Sequence, residues 1–76
     1  MGNYIITNQG GRCSVTDTEN GVTIDWLVGD FVNTADTEVD PDGGLFNLSE
    51  QDRPDALARV RRDIYEHVTF TRPELL

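Results

Sequence analysis

Residues 22–32 read "VTIDWLVGDFV", and their spacing decides the fold. Val22, Ile24, Trp26 and Val28 recur at every second position with Thr23 and Asp25 between them. This is the period of a strand buried on one face and wet on the other. Such a face needs an apolar layer to meet. Gly29 interrupts the run as a bulge or bend, and Phe31 and Val32 beyond it are expected to rejoin the core.

Working outward toward the N-terminus, "NYIITN" (3–8) is a short apolar run, "QGG" (9–11) a turn, and "RCSVTDT" (12–18) alternates Cys13 and Val15 against polar neighbours. Together they predict a hairpin. Asn20-Gly21 is a strong turn signal, so a second hairpin leads into the 22–28 strand. Toward the C-terminus the period changes. In "LSEQDRPDALARVRRDIYEHV" (48–68), Leu57, Val60, Ile64 and Val68 form the apolar stripe of a helix. Pro54 suits a first turn, and Ser49 with Asp52, or Asp52 with Asp55, can cap it, so the helix is predicted to start near Arg53. On its outer side Asp55, Arg59, Asp63 and His67 stand four apart, and Arg62 can reach Glu66. "TFTRPELL" (69–76) reads as a short strand or tail. Residues 33–47 have turn composition and read as a long ordered loop or an edge strand. The expected fold is α+β: an antiparallel three-stranded β meander followed by one C-terminal α-helix packed on the sheet. It is a single domain over residues 1–76.

With 76 residues, 37% of them hydrophobic, the core is small. Domains of this size typically retain only ~3–5 kcal/mol of stability, which leaves room for a homodimer. The single cysteine, Cys13, excludes an intrachain disulfide and favours a reducing, cytoplasmic setting. The start "MGNYIITNQGG" lacks the basic and apolar segments of a signal peptide, and no apolar run approaches the ~18 residues of a membrane span.

Net charge is −8, and residues 17–52 hold ten acidic residues and no base. All six basic residues are arginine and lie outside that stretch. This balance argues against direct binding to nucleic acid or an anionic membrane, and for a cationic partner. Salt adaptation is an alternative source of the same bias, since high salt screens the repulsion within such a segment.

Catalytic and metal motifs are thin. With one Cys and one His, Cys13 on a strand and His67 on the helix, nothing supports a nucleophilic pair, and a structural zinc site lacks ligands. No enzymatic activity and no cofactor are expected. Glu38, Asp40 and Asp42 occupy positions one, three and five of an EF-hand-like loop, with Gly43 at six and Leu45 at eight. Ser49 stands where the closing Glu belongs. The same residues form an Asp-Pro-Asp-Gly surface turn without needing any metal.

In "TADTEVDPDGG" (34–44) Asp36, Glu38, Asp40 and Asp42 alternate. In an extended chain they would project from one side at roughly 6.6 Å intervals, a ladder of negative charge like a phosphate backbone. In size, charge and strand-plus-helix architecture the whole chain resembles the small acidic inhibitors encoded by phages, the anti-CRISPR proteins and other DNA mimics. The resemblance implies a non-enzymatic module that occupies a basic, nucleic-acid-binding groove in the cytoplasm of a host cell. Asp36, Glu38, Asp40 and Asp42 would then be the contact set, with Asp25 and Asp30 in support. The alternatives are a salt-adapted structural or assembly protein of a halophile or virus, a calcium-binding loop, and an acidic face that only binds water.

Overall fold

The computed structural model describes residues 3–76. The 22–28 strand is realised as β3 (Val22–Leu27) and lies inside a sheet. It is preceded by β1 (Tyr4–Gln9) and β2 (Arg12–Asp17) and followed by β4 (Asp36–Val39), in the spatial order β1-β2-β3-β4 with every neighbour antiparallel. A four-residue helix, α1 (Phe31–Thr34), joins β3 to β4, and the long helix α2 (Arg53–Thr71) crosses the sheet. The meander therefore has four strands where three are expected. The fourth falls in the stretch read as a loop or edge strand: at four residues it is too short for its periodicity to stand out, and pairing with β3 is what orders it.

Each turn follows from local chemistry. Gly10 and Gly11, both at positive φ, close the β1–β2 hairpin in two residues. The β2–β3 connection takes four residues, Thr18–Gly21, and is built on Asp17. This buried carboxylate accepts the Glu19 and Asn20 backbone N–H groups at 3.0 and 3.2 Å and the Asn20 side-chain amide at 2.8 Å. Only Gly21 takes positive φ there. A Cβ on it would stand 2.7 Å from the Gly43 Cα, so the hairpin and the 40–44 turn touch backbone to backbone.

Alternation sorts the sheet into two faces. Cys13, Val15, Val22, Ile24 and Trp26 are fully buried on one, and α2 covers them with Val60, Ile64 and Val68. The predicted stripe is thus the packed one, with Leu57 at its half-buried margin. Val28 lies past the end of β3 and is partly exposed, and Val32, expected in the core, is 89% exposed on the outer side of α1. Phe31 does reach the core, its ring edge-on to Trp26 at 5.0 Å.

The C-terminal stretch departs most from expectation. α2 runs on through Thr69, Phe70 and Thr71, where β-branched and aromatic residues suggest a strand. The two threonine hydroxyls donate to the carbonyls one turn back, Thr69 to Tyr65 at 2.8 Å and Thr71 to His67 at 2.7 Å, a bond compatible with helix. A 3-10 turn, Pro73–Leu75, then folds back under the sheet. Leu75 is buried, and its carbonyl accepts both the Trp26 indole N–H at 2.7 Å and the Gly29 N–H at 3.1 Å. The expected ion pairs along α2 do not close. Among the described residues the ion pairs are Arg12 with Asp25 and Asp36, and Arg72 with Glu74. No helix is long and apolar enough to cross a membrane among the described residues.

Candidate functional site

Among the described residues nothing covers the face of the sheet turned away from α2, and it gathers most of the polar groups of the strands. Register sets its composition. One ladder runs Thr7–Ser14–Asp25–Asp36, the next Ile5–Thr16–Thr23–Glu38, and Gln9, Arg12 and Leu27 complete it. Thr16 and Thr23 share a hydroxyl–hydroxyl hydrogen bond of 2.9 Å between the strands.

Asp25 and Asp36 are directly opposed across β3 and β4, an arrangement that is repulsive on its own. Arg12 relieves it. From β2 it reaches diagonally across β3, donating through Nη2 to Asp25 Oδ1 at 2.8 Å and standing 3.9 Å from Asp36 Oδ2. A stretch devoid of bases in sequence thus acquires one cation in space, from a residue 13 positions before Asp25. Glu38, one rung further along β4 and opposite Thr23, has no cation among the described residues within ion-pairing distance. Asp36 is well exposed at 79%, whereas Asp25 beneath Arg12 is at 28%. The face presents three carboxylates against one guanidinium.

The expected four-carboxylate ladder is only half formed. Asp36 and Glu38 share the open face of β4, with Thr37 and Val39 turned to the other side. At Asp40 the strand ends. Its exposed carboxylate accepts the Asp42 N–H at 2.9 Å, its N–H donates to the Gly21 carbonyl at 2.7 Å, and the chain bends at Pro41. Asp42 is exposed in that turn, beyond the end of the strand. The acids therefore form a pair on β4, joined from β3 by Asp25, with Asp42 at one end. Asp30 stands apart, at the corner between β3 and α1. Its carboxylate accepts the Asn33 amide at 2.7 Å, and its carbonyl accepts the Thr34 hydroxyl, which in turn takes the Leu27 N–H.

The EF-hand-like residues do not converge. Glu38 projects from a strand, Asp40 is bound to its own turn, and no group of three or more His, Cys, Asp or Glu among the described residues is arranged to hold a metal ion.

Cys13 and His67 are likewise apart in role. Burial pushes the Cys13 thiol above its usual range, with Arg72 pulling the other way. His67 stacks on the Tyr4 ring with centroids 4.4 Å apart. A groove of about 390 Å³ runs beside the first half of α2, floored by Leu45, Leu48, Ala56 and Val60 with Arg59 and Asp63 on its rim.

The groups that sequence reading missed are Arg12, as the counter-ion of the acidic face, and the backbone of Leu75. Only the register of β2 on β3 reveals the first, and nothing short of the tertiary fold reveals the second. No protein-family model, no curated protein and no solved structure matches this chain.

Proposed function

We propose that the protein is a non-enzymatic binding module whose acidic sheet margin occupies a basic, nucleic-acid-binding groove of a partner protein, in the manner of the anti-CRISPR and other DNA-mimic inhibitors. One observation carries this reading: among the described residues Asp36 and Glu38 stand side by side on the outer strand of a sheet face that no element covers, with Asp25 beside them and only Arg12 to neutralise the group. A strand spaces such carboxylates at roughly 6.6 Å. A Lys- or Arg-lined groove that receives them releases the counter-ions it otherwise holds, the term that draws basic proteins to nucleic acid. Asp42 extends the contact set beyond the strand, whereas Asp40 serves it by fixing the turn.

The test is charge reversal where the side chains are free. Glu38→Arg with Asp42→Arg spares the Asp40 turn and the Arg12 pairs, so stability should move by less than ~0.5 kcal/mol. Binding to a nucleic-acid-handling complex should be lost, and wild-type affinity should fall steeply as salt rises. Undiminished capture of such a complex by the folded double variant would sink the reading. A second reading, a structural or assembly protein working through apolar contacts, draws on Phe70 and Val32, which are 91% and 89% exposed. Phe70→Ser with Val32→Ser separates the two, because the acidic module should keep its partner after that change.

A further inference from the structure

The other margin of the sheet has a different chemistry, independent of the acidic reading. Among the described residues β1 is the terminal strand, paired only with β2, and residues 3–11 contain no charged side chain. Natural edge strands are usually blunted by charge, proline or a bulge. "YIITNQ" has none of these.

We infer that β1 is a self-association edge, and that its occupant is the β1 strand of a second copy of this chain, paired antiparallel about a twofold axis near Ile6. The backbone fixes the geometry. The Asn3 carbonyl accepts the Thr18 N–H at 3.0 Å, so the odd residues of β1 address β2. Tyr4, Ile6 and Asn8 turn their N–H and C=O groups outward. A twofold axis perpendicular to the sheet that sets Ile6 opposite its own copy also sets Tyr4 opposite Asn8, so every outward group finds a partner, about six hydrogen bonds in all. Ile5 and Thr7 then face each other across the junction on the open face. Ile5, now 56% exposed, and the half-buried Tyr4 and Ile6 lose water contact.

Sterics permit this arrangement. α2 packs over β2 and β3, and in the joined sheet the two β2 strands are separated by three strand spacings, roughly 14 Å. Helices need only about 8–10 Å between axes. Charge selects the occupant. Two molecules each carrying −8 repel one another wherever their acids meet, and β4 would oppose Asp36 and Glu38 to their own copies. The β1 margin brings together uncharged strands instead, with Asp17, Glu19 and Asp63 near Tyr4 as the nearest acids. The product is an eight-stranded sheet that leaves an acidic β4 free at each end.

Salt gives the inference a signature opposite to that of partner binding. Screening weakens repulsion between two acidic bodies, so self-association should tighten as salt rises, whereas capture of a basic partner should weaken. The experiment is sedimentation velocity of the purified protein over a concentration series at low and high salt. It is repeated with Ile5→Glu/Thr7→Glu and with Ile5→Lys/Thr7→Lys, each shown to be folded by circular dichroism. The wild type should dimerise, more tightly in high salt. Each variant alone should be monomeric, because like charges would face each other twice across the junction. An equimolar mixture of the two should restore a dimer. A wild type that stays monomeric at high salt overturns the inference and leaves the edge to an extended segment of some other protein. A dimer that persists in both variants places self-association elsewhere and overturns it equally.

Discussion

The two margins of the sheet are built from strands of the same topology and opposite chemistry. β1 is uncharged and rich in β-branched residues, and it exposes backbone groups along six residues. β4 is four residues long, carries Asp36 and Glu38 on its open face, and ends in a turn locked onto the β2–β3 hairpin. An edge strand is a template for pairing unless something forbids it. At β4 the forbidding element is charge, and the same charge makes that margin attractive to a cationic surface. At β1 nothing forbids pairing. On the strands themselves the contrast is complete, with Asp36 and Glu38 on β4 and no charged side chain on β1.

Both margins hang on β3 and on the residue at its centre of burial. Trp26→Ala removes the largest fully buried side chain together with its bond to Leu75. Its expected cost of ~3–5 kcal/mol matches the whole stability of a domain this small. Circular dichroism should show both edges lost in a single step. If β1 and β2 survived as a folded hairpin, the two margins would be separate units and the comparison would fail.

Glycine substitutions strike the two ends unequally. Gly10, in the β1 turn, has nothing within 4 Å of a Cβ, so Gly10→Ala should cost only the left-handed strain, roughly 1–2 kcal/mol. Gly21→Ala carries that strain and also a collision with the Gly43 backbone, which anchors the end of β4. Chemical denaturation should rank Gly21→Ala as clearly the more damaging, and hydrogen exchange should show its loosening in β4 and the 40–44 turn.

Arg12→Ala tests the one cation that the described residues place on the open face. The ion pair is exposed, so the stability loss should stay below ~1 kcal/mol, read by urea unfolding. The acidic margin would gain net negative charge, so affinity for a basic partner should rise. A fall would mean that Arg12 itself contacts the partner.

The smallest effect is invisible at neutral pH. Burial, reinforced by Asp17, Asp63 and Glu19, pushes the Tyr4 hydroxyl above its ordinary value, and burial pushes the Cys13 thiol the same way. A raised folded value means that stability is fully present below the unfolded values, about 8.5 for a thiol and 10 for a phenol, and is lost as pH rises through the raised ones. Alkaline titration followed by amide exchange should loosen β1 before β4, and Tyr4→Phe should remove the Tyr4 part of that difference.

Legibility in the sequence tracked the length of each periodic signal. Val22, Ile24 and Trp26 announced a strand and Val60, Ile64 and Val68 a helix, because several turns or rungs repeat the pattern and burial enforces it. β4 offers only Thr37 and Val39 on its inner side, too little to separate from a loop. Asp36 and Glu38 could be placed on one face, and the Asp-Pro-Asp-Gly turn signal already competed with a ladder that ran on through Asp40 and Asp42; the Asp40 N–H bond to the Gly21 carbonyl, a tertiary contact, fixes the turn. The Arg12 pairs depend on strand register, which composition does not encode. Residues 69–76 read as a short strand or tail because the intrinsic preference of Thr69–Thr71 is extended, and the packing of α2 overrides it.

The bond from the Trp26 indole to the Leu75 carbonyl spans 49 positions of the chain, and this has a consequence for synthesis. The β1–β2–β3 meander is complete by Leu27, yet the apolar face of the sheet has nothing to cover it until α2 and the Pro73–Leu75 turn exist. A nascent chain elongating at ~5–20 residues per second therefore exposes that face for several seconds, and the core closes only after Leu75 has left the ribosome.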